Sequence, residues 1–165
     1  MPDIELEKAL TLALQGDART QALTACREQL ARWGMVMPTV EPLVSDFGID
    51  DFAQTGLIEY WIANEMAAGY CGKYLFVFDG QSCPLHAHKV KHETFFLVHG
   101  RVRMSYHGEV REMAPGDVLP VWPGVEHGFT GLGPALLLEV SMPCVIADNY
   151  FADPRIQVSV VGETP

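Results

Sequence analysis

Apolar residues change period along this chain. Over the first third they recur every three or four positions: Ala9, Leu10, Ala13 and Leu14 form one stripe, and Leu23, Cys26, Leu30 and Trp33 form a second. That spacing predicts two amphipathic helices. Asp3 is placed to cap the first, which Gly16 ends, and Asp17 to cap the second, which Gly34 stops just after Trp33. Cys26 lies on the second stripe as a small buried hydrophobe. A short third helix is expected from about Thr39, with Pro42 in its first turn. From Gly56 the period becomes two, and residues 57–63 read as a strand buried on both faces or nearly so. Further strands are expected at 70–79, 94–98, 102–106, 110–113, 118–121, 128–130 and 135–141. The turns between them hold His107-Gly108, Pro115-Gly116, Pro123-Gly124 and Gly131-Leu132-Gly133-Pro134. Many short strands with Gly/Pro turns predict a mainly β sandwich or jelly roll. Residues 1–55 are expected to form a helical segment packed on the β domain of 56–165, the two making one folding unit.

Composition narrows the partners. The 165 residues are 48% hydrophobic and 19% charged, as in an ordinary globular protein. A formal charge of −10 argues against nucleic acid or an anionic membrane surface. No apolar run reaches the ~18 residues that span a bilayer, and the acidic start MPDIELEKAL lacks the basic region and apolar core of a secretory signal. A cytoplasmic protein is expected, with Cys26, Cys71, Cys83 and Cys144 as reduced thiols. Positive charge is concentrated at residues 86–103, in His86, His88, His92, His99, Lys89, Lys91, Arg101 and Arg103. This cluster reads either as a solvated strand edge guarded by lysine or as a field for an anionic substrate such as a sugar phosphate.

The candidate chemistry sits in the same stretch. Residues 80–100 read GQSCPLHAHKVKHETFFLVHG. His86 and His88, two apart on an extended strand, project from one face. Glu93 follows, and His127 comes later, just past the Pro123-Gly124 turn. Three neutral imidazoles and one carboxylate suit a divalent first-row metal with open coordination positions. Glu139 ends the apolar run 136–138; burial there would raise its pKa and fit it for acid–base work, the alternative being a surface charge at a strand end. Lys91 lies two residues before Glu93.

The spacing from Gly80 through His86-x-His88 and Glu93 to Gly100 resembles the first motif of the cupins, and Gly116 to His127 resembles the second. Trp122 stands where a proline is usual in that second motif, and Gly131 where an asparagine is usual. Beyond the motifs, the segments DFGIDDF (46–52), YCGK (70–73), GQSCPLHAH (80–88), KHETF (91–95), EVS (139–141) and YFADPRI (150–156) are similar to the small D-lyxose isomerase-like cupins. The resemblance implies a cupin jelly roll (a double-stranded β-helix) with N-terminal α-helices, usually assembled as a homodimer. It implies manganese, or a similar divalent metal, at His86, His88, Glu93 and His127, with Lys91 and Glu139 assisting proton transfer on a bound sugar.

The chain departs from the isomerases at 142–145, where Met142-Pro143-Cys144-Val145 replaces a hydroxyl-bearing stretch, and at Asn149, where they carry an acid. Cys71 and Cys83 fall in shared motifs, which leaves Cys144 as the distinguishing thiol; Cys83, beside His86, is next in line. A second branch of similar cupins uses a thiol. It removes the methylthio group of 1-methylthio-D-xylulose 5-phosphate through a metal-bound enolate and gives 1-deoxy-D-xylulose 5-phosphate, an isoprenoid precursor, with glutathione as acceptor. That methylsulfurylase, with Cys144, Glu139 and Lys91 as catalytic residues, is the expectation preferred on sequence. D-lyxose ketol-isomerisation is the alternative, and a non-catalytic, metal-stabilised sugar-binding cupin is the third.

Overall fold

The computed structural model describes residues 4–11 and 13–157. Two helices, α1 (Ile4–Leu10) and α2 (Gly16–Arg32), precede the strands. Six strands form one antiparallel sheet, in the order β1 (Leu43–Ser45), β2 (Leu57–Glu65), β3 (Tyr70–Val77), β10 (Ala135–Ser141), β5 (Glu93–His99) and β8 (Val118–Val121). Five form the second, in the order β11 (Tyr150–Phe151), β4 (Ser82–Ala87), β9 (His127–Gly131), β6 (Val102–Tyr106) and β7 (Glu109–Met113). The two sheets face each other across a core that includes Leu75, Val77, Phe95, Leu97, Met104, Phe129 and Leu137. The chain folds as a mainly β structure of two facing sheets with two N-terminal helices, as its alternating and helical patterns predict.

Helix α2 covers part of the outer face of the six-stranded sheet. Its stripe Ala22, Leu23, Cys26 and Leu30 packs on Val44, Ile58, Tyr60, Phe76 and Leu136. Trp33 then stacks on His99, with ring centroids 5.1 Å apart. The expected Asp3 cap lies outside the described residues. Asp17 is not the cap of α2; Gln15 holds that position and Asp17 sits in the first turn, where its charge favours the helix dipole. The expected third helix is absent, and the segment instead supplies β1. Pro38 and Pro42 restrict the backbone before it, and residues 43–45 pair with the open edge of β2, Leu43 with Glu59 and Val44 with Ile58.

Two glycines fix turns by different means. Gly108 has φ +80° and open space beyond it. Gly100 has φ +77°, and a Cβ there would lie 2.1 Å from the Pro134 carbonyl oxygen and 2.8 Å from Ala135 Cα. Gly131, where an asparagine is usual, has a similar constraint, since a Cβ would lie 2.3 Å from Phe78 O. Gly108→Ala should therefore cost only the strain of the left-handed backbone, roughly 1–2 kcal/mol. Gly100→Ala should lose roughly 1–3 kcal/mol more, because backbone must move. Urea unfolding of both variants checks this, and equal losses would refute the steric account.

Candidate metal centre and its acid–base neighbours

The two sheets bring the sequence-predicted ligands together. His86, on β4, is paired in register with His127 on β9. His88 follows the end of β4, and Glu93 opens β5 on the facing sheet. All four are buried, and one donor atom from each lies within 4.8 Å of the others. The tautomers are fixed from behind. Each Nδ1–H donates to a carbonyl: His86 to Pro84 (2.8 Å), His88 to Asp148 (3.0 Å) and His127 to Val125 (3.0 Å). Every Nε2 is then left with a lone pair directed inward.

The inward atoms have no hydrogen-bond partners. His88 Nε2, His127 Nε2 and Glu93 Oε1 are all orphaned and buried, although His127 Nε2 stands only 2.6 Å and His88 Nε2 3.3 Å from Glu93 Oε1. We read these short approaches as converging lone pairs, because the protons that would bridge them are spent on the carbonyls behind. Burial, with His127 and His88 close by, holds His86 well below the ordinary imidazole range, so it stays neutral. Burial alone would raise Glu93, but the Lys91 ammonium beside it outweighs burial and holds it well below the usual carboxylate range. Neutral imidazoles and an ionised carboxylate aimed at one point fit a divalent cation.

A chain of buried charges leads away from this point. Lys91 Nζ lies 2.6 Å from Glu93 Oε2 and 3.1 Å from Glu139 Oε1. Glu139 Oε1 also accepts from Ser141 Oγ at 2.8 Å, and its Oε2 lies 3.6 Å from Lys73 Nζ. Lys73 reaches on to Glu59 Oε2 at 3.2 Å, which also accepts from Trp61 Nε1 at 2.9 Å. Strand register explains the assembly: Glu139 on β10 faces Lys73 on β3, which faces Trp61 on β2. The sequence leads one to expect burial to raise Glu139, and the structure corrects this. Burial pushes that way, but the ammoniums of Lys73 and Lys91 outweigh it and lower the pKa, so Glu139 is ionised. Burial likewise opposes the charge of Lys91, and Glu139 and Glu93 more than offset it.

These groups line two adjoining cavities. One is bounded by His86, Lys91, Glu93, Glu139, Lys73, Glu59 and Cys83. The other is bounded by Trp61, Leu43, Ile146 and Cys144. They share Phe47, Glu59, Lys73, Asn149 and Phe151. Cys144 is thus placed in the side cavity, with Sγ 3.6 Å from Lys73 Nζ, while Cys83 lines the cavity of the metal set. Burial raises the pKa of both thiols; Lys73 pulls the other way at each without prevailing. All four cysteines are free. Asn149 spends its amide on the carbonyls of Val145 and Ile146.

The basic cluster of residues 86–103 does not act as one field. Lys91 alone of its lysines and arginines turns inward. Lys89 lies over the Tyr150 ring, Arg101 pairs with Glu112, and Arg103 is exposed. Trp122, where a proline is usual, is exposed against His92. Sequence reasoning missed Glu59, Lys73 and Asp148. The first two were findable, since Glu59 shares the inward parity of Leu57 and Trp61, and Lys73 that of Cys71 and Leu75.

Comparison with known proteins agrees with this geometry. Residues 76–141 match the cupin domain. The D-lyxose/D-mannose isomerase of Thermosediminibacter oceani is 30% identical over 142 residues, covering 69% of this chain and 77% of that protein. The D-lyxose ketol-isomerase of Cohnella laeviribosi is 29% identical over 143 residues, with the same coverage. Among solved structures, the L-ribose isomerase of Cellulomonas parahominis superposes with a TM-score of 0.73 at 15% identity, over 88% of this chain and 95% of that one. No helix among the described residues is long and apolar enough to cross a membrane. Sequence identity over most of a relative's length, together with the two-sheet frame, shows that this chain belongs to the cupin family of the D-lyxose isomerases.

Proposed function

We propose that the protein is a metal-dependent aldose–ketose isomerase acting on a free pentose of the D-lyxose/D-xylulose class. One observation carries this reading: an ionised, buried carboxylate, Glu139, is held beside the metal set by a lysine that also touches Glu93. His86, His88, Glu93 and His127 would hold a divalent ion such as Mn²⁺, which polarises a carbonyl as a Lewis acid. Glu139 then takes the proton from the carbon next to the carbonyl and returns it to the carbonyl carbon, while the proton of the adjacent hydroxyl passes to the former carbonyl oxygen, so that the carbonyl moves by one position. The Lys91 ammonium keeps Glu139 ionised before transfer and is placed to donate a hydrogen bond to oxygen as its charge grows. Lys73 steadies the other Glu139 oxygen. Both lysines that line the cavity are already committed to carboxylates, and the other cations of 86–103 turn away. A free sugar therefore suits the cavity better than a sugar phosphate.

The second reading is the methylsulfurylase, and what favours it is Cys144 beside the Lys73 ammonium. In that reaction the Cys144 thiolate attacks the methylthio sulfur and forms a disulfide bond. The carbon–sulfur bond breaks with its electron pair left as an enolate, and a proton from Lys91, or from Glu139 once it has taken up the proton of the cysteine, completes the deoxy ketose. A second thiol, such as glutathione, exchanges the methylthio group off the cysteine. The raised Cys144 pKa weighs against it, since the attacking species is the thiolate.

Purified protein should carry close to one equivalent of divalent metal, measured by plasma mass spectrometry, and chelation should abolish conversion of D-lyxose. Glu93→Ala and His127→Ala should lose metal and turnover together; an active variant without metal would defeat the assignment. Glu139→Gln should retain metal and lose roughly 10²–10⁴-fold in kcat. Wild-type turnover in ²H₂O should place deuterium on the carbon next to the carbonyl.

Cys144→Ser separates the two enzyme readings. Isomerisation needs no sulfur, so D-lyxose turnover should stay within a few-fold of wild type. If instead wild type releases the methylthio group from 1-methylthio-xylulose 5-phosphate and Cys144→Ser does not, with no turnover of D-lyxose by either, the isomerase reading fails.

A further inference from the structure

We propose that Asp148 is the positioning residue of the metal centre, setting both a ligand's tautomer and the loop that carries Lys91. The inference rests on the metal-centre reading above and extends it to a residue outside the donor set. Asp148 closes a short 3-10 turn, Ile146–Asp148, just before β11. Its carbonyl oxygen accepts the Nδ1–H of His88 at 3.0 Å. Its carboxylate gathers three consecutive backbone N–H groups. Lys89 N donates to Oδ1 at 2.9 Å, Val90 N to Oδ1 at 3.3 Å and Oδ2 at 3.1 Å, and Lys91 N to Oδ2 at 2.9 Å.

Those three residues belong to the connection between His88 and Glu93, where the chain leaves one sheet and enters the other. That crossing must deliver two donor atoms to one point and also turn the Lys91 ammonium inward. Alternation cannot do so by itself, because the connection is not paired as a strand. Successive N–H groups converging on an anion form a concave nest, and the anion fixes the backbone around it. Here the anion is a side chain that is only 9% exposed. Asp148 is itself anchored: its N–H donates to Val145 O at 2.9 Å, and β11 pairs next to it with β4, Tyr150 opposite Ala87 and Phe151 opposite His86. One residue thus ties the His88 ring, the Lys91 backbone and the strand bearing His86 into a single rigid unit.

The chemistry demands a carboxylate. Asparagine has nearly the same shape but only one accepting oxygen, and its NH₂ would face N–H groups. The bond to His88 is made by the main-chain carbonyl and survives substitution, so the variant tests the carboxylate's hold on the backbone between His88 and Glu93. Partners that orient metal ligands typically contribute roughly 10–100-fold to metal affinity. Asp148→Asn should therefore weaken Mn²⁺ binding by about that factor, read as the Kd from the electron paramagnetic resonance signal of free Mn²⁺. At saturating Mn²⁺ its kcat should remain reduced, because the Lys91 loop is no longer held.

A residue that only stabilised the fold would lower Tm and leave the Kd of the folded fraction unchanged. Wild-type Kd and kcat in the folded Asn variant would overturn the proposal. Should that variant not fold, Asp148→Glu is measured in its place. The charge is kept and displaced by one methylene; weakened Mn²⁺ affinity supports the proposal and wild-type affinity overturns it. The Mn²⁺ titration requires no sugar, so failure of the isomerase reading alone leaves this result intact. A wild-type protein that binds no Mn²⁺ would overturn both.

Discussion

The barrel interior depends on one buried alternation of charge: Glu59, Lys73, Glu139, Lys91 and Glu93, each within 3.6 Å of the next. Five ionisable groups at 1–8% exposure would be costly to desolvate singly. Removing one partner of a buried pair typically costs roughly 3–5 kcal/mol, because the charge left behind cannot be solvated. The order of signs makes the cluster tolerable and also functional. Two ammoniums stand among three carboxylates, and at one end of the row Glu93 meets the three imidazoles. A divalent cation placed there completes the electrostatics of the interior as well as the coordination of the ligands.

This alternation also determines what Glu139 can do. A carboxylate in an apolar pocket holds its proton and acts first as an acid. Flanked by Lys73 and Lys91, Glu139 is instead ionised, the state that the proposed isomerisation asks of a base. A proton gathered there would be held loosely, since protonation costs the two ion pairs. The lysines thus trade basicity for easy return of the proton, a balance suited to a group that must act as base and then as acid within one turnover.

The sequence discloses these features unevenly, for physical reasons. Alternation is local, so the strands at 102–106, 118–121 and 135–141 were read with their bounds. The donor set was legible because His86, His88 and Glu93 lie close together in sequence, and a tight turn delivers His127. The three-residue β1 was mistaken for a helix, because pairing with β2 is a tertiary event that three residues cannot announce. Strand β4 reads poorly because Pro84 interrupts it, where its pairing with β9 shifts register between Cys83 and His86. Glu59 and Lys73 look like ordinary polar residues of their strands until their parity with Leu57 and Leu75 is followed. Asp148 left no trace at all, since its partners are backbone N–H groups that any residue supplies.

The two cavities meet at a wall built from the same groups, and this gives Cys144 its ambiguity. Lys73 touches Glu139 on one side and the Cys144 sulfur on the other. An ammonium in that position can stabilise a thiolate only to the extent that it is not already neutralised, and here Glu59 and Glu139 both draw on it. Burial keeps Cys144 protonated, and the pairing that keeps Glu139 ionised prevents Lys73 from reversing it. A chain that had shifted to thiol chemistry would need to weaken one of these carboxylate contacts, and both are intact here. The charge balance of the interior thus favours proton transfer at carbon over attack at sulfur.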